Sequence, residues 1–528
     1  MIYLLCPGDL DPAATIVQSG LERSCGVGQI RRISIAEWIR LQALPQRLLS
    51  VIISPPDSWG TQIVKGMQRD GDKILLLGVL PPTIAHTLSA VATIVNEELK
   101  VAAQCKPAPT YSQSNSALII EYSDFSELGV SPIKERACLR YDFTDEWNNL
   151  GYGAVRADGS IWALSQCVQL PKEKILACLK LGGQDVSAYA GFWVNEKNIS
   201  NTVLWFNRPV GPVDSQEWRL VENFISTAGF PGFVCQPVLS EIPYGYEAAV
   251  TMRLDCDEDV ESARMLWQAY QAMNVPFSLA LHARVLGEEK HHVLARDVLL
   301  AGGALLSHTA THAPDWGGSY VAAFEEGRIS AEAIVKATGF RVRYAVSPFH
   351  QTPIYARDAL TDAGYEGCIG GIIRNDYDFL MARAGTPPYS AEGFIGHSQQ
   401  CMLHGDCMLT GSDPLKLYKQ AFGIAKVSKS FFGYLDHPFS ERYQYGWNTE
   451  DQRIEMHANF IEYIKDQGHI LFVHENDAMD FLHDRASIKV SSVGENFQLE
   501  KSKTSRSALH QSVEYGGVAY PLNSELLL

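Results

Sequence analysis

Two histidines four residues apart, His308 and His312, and an acidic run upstream, Asp255-Cys256-Asp257-Glu258-Asp259, are the groups whose types and spacing suit chemistry. Imidazoles at that spacing can turn toward one point. A carboxylate from elsewhere then completes three ligands and leaves one position open, the arrangement of a hydrolytic metal rather than a structural one. Taken alone, Asp257 or Asp259 would cap the helix that follows, because an aspartate there accepts backbone N–H bonds. A lone histidine pair would be surface or capping groups. The conjunction is more specific than either part.

The flanking elements agree with chemistry. Ala248 to Leu254 alternates and is rich in Val, Met and Leu, which predicts a buried strand. Val260, Ala263, Trp267 and Tyr270 then fall on one face of a helix. The carboxylates therefore stand where a strand ends. His291 to Ala301 reads as helix, Gly302-Gly303 stops it, and Ala304 to Leu306 is a short apolar strand with His308 at its tip. A third instance is Phe431 to Leu435, an apolar strand ending in Asp436-His437-Pro438, with helix-like sequence from Thr449 to Lys465. Polar groups at the carboxyl ends of successive strands, each followed by a helix, are the layout of a (β/α) barrel.

These residues resemble the motifs of the polysaccharide deacetylase family, the NodB-homology group of carbohydrate esterases. His308-Thr309-Ala310-Thr311-His312 is similar to its His-Ser/Thr-x-x-His motif. Asp255-Cys256-Asp257 resembles its first motif in the Asp-x-Asp form of the branch with sugar-lipid deformylases and allantoinase-like amidases. The resemblance implies Asp255 as base, and Asp257, His308 and His312 as holders of one divalent ion, zinc first, with nickel, cobalt or manganese also suited to mixed N/O ligands. Val346-Ser347-Pro348-Phe349-His350 resembles the third motif without its arginine, which normally pairs with the base; Arg253 and Arg343 are the candidates to replace it. Ala363-Gly364-Tyr365-Glu366 resembles the turn into the fourth motif, with Asn375-Asp376 as its remnant. Leu435-Asp436-His437-Pro438 is similar to the last histidine motif, which makes His437 the expected general acid, with His404 its competitor. The likeness spans about residues 245 to 485. It implies a distorted (β/α) barrel of NodB type.

Further groups have two readings each. Phe349 and His350 are expected to touch substrate, with backbone N–H groups near Phe349 facing a developing oxyanion. Trp316 is expected to stack on a sugar; its other reading is a loop aromatic over the core. His404-Gly405-Asp406-Cys407 is either a further ligand source or a satisfied turn. His474-Glu475 lines the barrel mouth or starts a helix. Cys256 and Cys407 are expected to be small core residues.

The chain holds 44 basic and 60 acidic residues, a net charge of −16, which argues against nucleic acid or an anionic membrane as partner. No window approaches the ~20 apolar residues of a bilayer span. The start, Met1 to Asp9, is an apolar strand and turn without a basic signal-peptide region. The 11 cysteines include no CxxC pair, which suits thiols in a reducing compartment. A cytoplasmic location is expected.

At 528 residues the chain is long enough for several domains. Residues 1–98 read as a small α/β layer with a parallel sheet: strands at 2–5, 49–54 and 73–77, and helices at 12–22 and 60–69. Residues 99–240 read as a mixed α+β region, with strands at 117–122 and 160–170 and helices at 171–181 and 215–228. Prolines and glycines near 231–245 mark a linker into the barrel domain, 245–485. Residues 486–528 read as a C-terminal extension, loose or docking as a strand. No GxGxxG or Walker loop is present.

The leading expectation is a metal-dependent hydrolase that removes the acetyl group from an amino sugar in a glycan or glycan precursor. Its alternatives are a carbohydrate-binding or scaffold protein on a degenerate barrel and a non-sugar amide hydrolase of allantoinase type.

Overall fold

The computed structural model describes residues 1–105, 117–124, 128–129, 131–138, 155–196, 199–212, 216–227, 232–370, 383–398, 401–408, 410–493 and 496–528. Among the described residues of the amino-terminal 240, nine strands form one sheet. Its first part is parallel, in the order Ile30–Arg32, Ile2–Leu5, Leu49–Ile53, Lys73–Leu77 and Ile199–Phe206. It continues antiparallel through Gln184–Glu196, Ile175–Leu181, Ile119–Tyr122 and Glu135–Ala137. Strands from both sides of residue 98 thus share this sheet. The expected helix over 171–181 is instead the Ile175–Leu181 strand. Gly182 and Gly183, both at positive φ, form a two-residue turn that returns the chain along it as a hairpin.

The carboxyl-terminal half is a curled parallel sheet. Its order is Ile395–Ser398, Gly367–Gly370, Tyr344–Val346, Ala304–Ser307, Ser278–Leu281, Ala248–Cys256, Phe432–Asp436 and Cys401–Met402. Ile470–Phe472 also pairs with the start of the Ala248–Cys256 strand. The two outermost strands end at Ser398 and begin at Cys401, so three peptide steps hold the open edges within about 11 Å. The sheet is therefore curled, and its outer strands approach each other.

Strand alternation sorts the side chains. Ala248, Val250, Met252, Leu254 and Cys256 join the outer core beneath the helices. Ala249 joins the inner cluster with Phe481 and Leu482 of the Glu475–Ala486 helix. A fully buried Leu or Val on the outer face contributes about 1.5–3 kcal/mol relative to exposure. Arg253, Asp255 and Asp257 share the parity of Ala249, so the period of two carries them inward.

The halves meet through a buried carboxylate. Glu222, on the Trp218–Ser226 helix, accepts from Arg383 Nε at 2.9 Å and Nη2 at 2.7 Å and from Ser24 Oγ at 2.8 Å. The last residues dock back: Gln511–Tyr515 pairs with Val238–Leu239, and Lys489–Val493, Asn496–Glu500 and Glu525–Leu527 form a separate small sheet. The ten described cysteines are free thiols. Among the described residues, no helix is long and apolar enough to cross a membrane.

Candidate metal centre at the barrel rim

The carboxyl ends of the barrel strands deliver the candidate groups to one rim. Asp255 ends the long Ala248–Cys256 strand and Asp257 follows it. His308 follows Ala304–Ser307, and His437 follows Phe432–Asp436. Asp257 is the hub. Its Oδ1 lies 3.2 Å from His308 Nε2 and 3.8 Å from His312 Nε2, and its Oδ2 lies 3.7 Å from His437 Nε2.

The histidine loop is held from outside. Glu326 accepts from the backbone N–H groups of Ala310 at 2.9 Å and Thr311 at 2.8 Å, and from Thr311 Oγ1 at 2.6 Å. Thr309 Oγ1 accepts from His312 N at 2.9 Å. His308 Nδ1 sits 3.3 Å from Val346 O, an acceptor, so Nδ1 carries a proton and Nε2 is the ring atom turned toward Asp257. Thr309, His312, Asp315, Trp316, Phe349 and Tyr445 all have φ between 47° and 68°. Non-glycine residues held there cost about 1–3 kcal/mol each, and such strain gathers at functional sites.

A cation fits this hub. Asp257 Oδ1 is buried, and although His308 Nε2 is near, no donor is aligned to satisfy it. An orphaned carboxylate oxygen facing two imidazole nitrogens is the donor set of a divalent ion. The ligand atoms of Asp257, His308 and His312 lie within 4.8 Å of one another.

Asp255 is paired by Arg253, two residues back on the same strand face. Arg253 Nε donates to Oδ1 at 2.5 Å and Nη2 to Oδ2 at 3.0 Å, with the guanidinium fully enclosed. Burial alone would raise the Asp255 pKa; Arg253, His308 and His437 outweigh it and hold it at about 2. Of the two arginines expected to pair the base, Arg253 is the one in contact with Asp255. Arg343 is not: both its Nη atoms donate to Asp480 at 2.7 Å.

A second acidic-histidine group, His404, Asp436 and His437, adjoins the first. His404 Nε2 and His437 Nδ1 are 2.9 Å apart, a hydrogen bond. Asp436 is saturated: Oδ1 accepts from His437 N at 2.8 Å, and Oδ2 from Arg453 Nε at 2.7 Å and His457 Nε2 at 2.9 Å. Tyr270 OH lies 2.8 Å from His457 Nδ1 and continues the network.

The other expected residues divide. Phe349 is 37 % exposed, with its ring centroid 4.7 Å from that of His312, so it forms one wall of the site. The His350 side chain and Asn375-Asp376 lie outside the described residues. Trp316 is corrected: it is fully buried, and its indole N–H donates to Gln351 O at 2.9 Å, leaving no ring face for a sugar. Asp259 caps the turn at Val260 through Glu261 N. His474 caps the Glu475–Ala486 helix. Cys256 is buried.

Two neighbours escaped sequence reasoning. His282 follows the Ser278–Leu281 strand just as His308 follows its own, and that position was the available signal. Its Nδ1 lies 3.3 Å from Asp257 O and its ring 6.2 Å from that of His312. Tyr445 stacks on His437 at 4.3 Å and 15°, and nothing local marks it.

Solved polysaccharide deacetylases are similar to this chain over about 45 % of its length. One is a putative polysaccharide deacetylase from Mycobacterium smegmatis, 14 % identical, with a TM-score of 0.36, covering 45 % of this chain and 91 % of that one. Another is a family 4 acetyl xylan esterase from Clostridium thermocellum in complex with a cobalt ion, 12 % identical, TM-score 0.30, covering 44 % and 90 %. A third is the Puue allantoinase, 14 % identical, TM-score 0.34, covering 47 % and 94 %. No family model matches the chain, and no curated protein matches it.

Proposed function

We propose that this protein is a metal-dependent deacetylase that hydrolyses the N-acetyl group of an amino sugar in a glycan or glycan precursor. The observation that carries this reading is the orphaned Asp257 Oδ1 facing His308 and His312, with the Arg253-paired Asp255 and His437 beside it. Asp257, His308 and His312 hold one ion, zinc by donor type. When bound, it supplies Lewis acidity that acidifies water and polarises the amide carbonyl.

Asp255 is the base. Arg253 keeps it ionised and fixes its plane, and each oxygen retains a lone pair for a proton from water. His437 lies across the hub from His308 and His312 and delivers a proton to the departing nitrogen. Backbone N–H groups near Phe349 are assigned to the developing oxyanion. Phe349 gives a sugar ring an apolar wall.

The test is acetate release from N-acetylated oligosaccharides by zinc-loaded full-length protein, against chelator-treated protein. Release only by the loaded protein is expected. Zinc-loaded protein that binds these oligosaccharides without releasing acetate refutes the reading in favour of a carbohydrate-binding protein. Hydrolysis of allantoin in place of the glycan moves it to the allantoinase type.

A further inference from the structure

We infer that His404 is a positioning residue for His437, aiming its Nε2 into the site. The inference deepens the deacetylase reading and rests on it for the role of His437.

His437 follows the last residue of a strand, and its ring has two edges. Nε2 faces the hub, 3.7 Å from Asp257 Oδ2. Nδ1 faces His404 Nε2 at 2.9 Å. That bond ties the rear edge of the ring to a second strand, because His404 follows Cys401–Met402, which pairs directly with Phe432–Asp436. The anchor is rigid. Leu403 N donates to Leu435 O at 2.8 Å and Gly405 N to Tyr445 O at 2.9 Å, fixing the backbone on both sides of His404. His404 itself is 8 % exposed.

Tyr445 fixes the remaining freedom. Its ring lies flat on His437 and 5.0 Å from the His404 ring, so one aromatic covers both imidazoles. His437 is thus held at its edge by His404 and on its face by Tyr445. Rotation about χ2 would break the rear hydrogen bond and turn the ring edge into Tyr445. An acid must be within hydrogen-bond reach of the atom it protonates, so this clamp sets geometry before any proton moves.

The pair is not a second metal site. Two nitrogens on a tetrahedral zinc stand about 3.3 Å apart. The 2.9 Å separation fits a shared proton, and Asp436 has donors on both oxygens.

The test uses full-length protein labelled with 15N-histidine, at one pH, in wild type, His404→Ala and His404→Gln. Glutamine places a polar atom near the imidazole Nε2 position. In wild type the His437 Nδ1 resonance is expected at a single hydrogen-bonded position. His404→Ala should move it to the tautomer average, and His404→Gln should restore it. In the zinc-loaded protein, kcat for deacetylation should fall roughly 10–100-fold in His404→Ala, the usual loss for an orienting partner, with KM unchanged and partial recovery in His404→Gln. An unchanged His437 resonance in His404→Ala, or a kcat within twofold of wild type, overturns the inference. If His404→Ala does not fold, His404→Met fills similar volume without the hydrogen bond and serves instead. Wild type without deacetylase activity defeats the functional reading alone, since the resonance still reports the clamp.

Discussion

Asp257 and Asp436 stand at the ends of neighbouring strands, each with histidines beside it, yet their oxygens are used differently. Asp257 Oδ1 has no donor and meets two imidazole nitrogens at 3.2 and 3.8 Å. Asp436 accepts from a backbone N–H, a guanidinium and an imidazole. The residue types are the same, so composition cannot separate a ligand set from a hydrogen-bond network. What separates them is whether the lone pairs are spent. An arginine makes the difference: Arg453, fully buried, neutralises Asp436, while Arg253 serves Asp255 and leaves Asp257 free.

Four perturbations sharpen or break this contrast, beginning with the largest. Asp255→Asn removes a base and no ligand. Turnover should fall by ~10²–10⁴-fold while zinc per chain stays at the wild-type value, read by acetate release and metal analysis on folded protein. Wild-type turnover in this variant would move the base elsewhere.

Asp436→Asn should act on stability rather than metal. It leaves Arg453 with Glu450 as its remaining carboxylate partner and takes the charged acceptor from Arg453 Nε and His457 Nε2, two bonds worth about 1.5–3 kcal/mol each. Urea unfolding should show that loss, with zinc content unchanged. Loss of zinc in a folded Asp436→Asn protein would erase the distinction between the two groups.

Glu222 is a third buried carboxylate, saturated like Asp436 but at the junction of the two halves. Burial opposes its ionisation, yet Arg383 and Arg219 lower its pKa from 4.5 to about 2. The folded value lies below the unfolded one, so the ionised group stabilises the fold. That contribution is complete above pH 4.5 and disappears as pH falls toward 2. Glu222→Gln should therefore cost about 3 kcal/mol at pH 7, and the gap to wild type should close in acid. A gap independent of pH between 7 and 3 would contradict the assignment.

The smallest effect concerns Trp316. Trp316→Phe loses one hydrogen bond to Gln351 O and part of its core packing, about 1–3 kcal/mol of stability, with KM for the oligosaccharide unchanged. A raised KM would return this side chain to the substrate.

Legibility followed locality. The Asp-x-Asp and His-x-x-x-His spacings, and the strands that carry them, were readable because each lies within one strand and its following loop. Ala304–Ser307 and Phe432–Asp436 are observed within one residue of their expected bounds. Ile175–Leu181 was misjudged because Ile175, Leu176 and Leu179 mimic helical spacing; Gly182-Gly183, at the positive φ a tight hairpin needs, was the overlooked signal. Trp316 was misjudged because a loop tryptophan can face either way, and only the core contacts decide. Tyr445 and His404 reach His437 from separate segments, so their clamp has no local signature.

The most direct measurement is zinc per chain after zinc loading and dialysis against zinc-free buffer, in wild type, His312→Ala and His404→Ala. One ion, close to none, and one ion are expected, in that order. Two ions in wild type, or zinc kept by His312→Ala and lost by His404→Ala, would contradict that expectation.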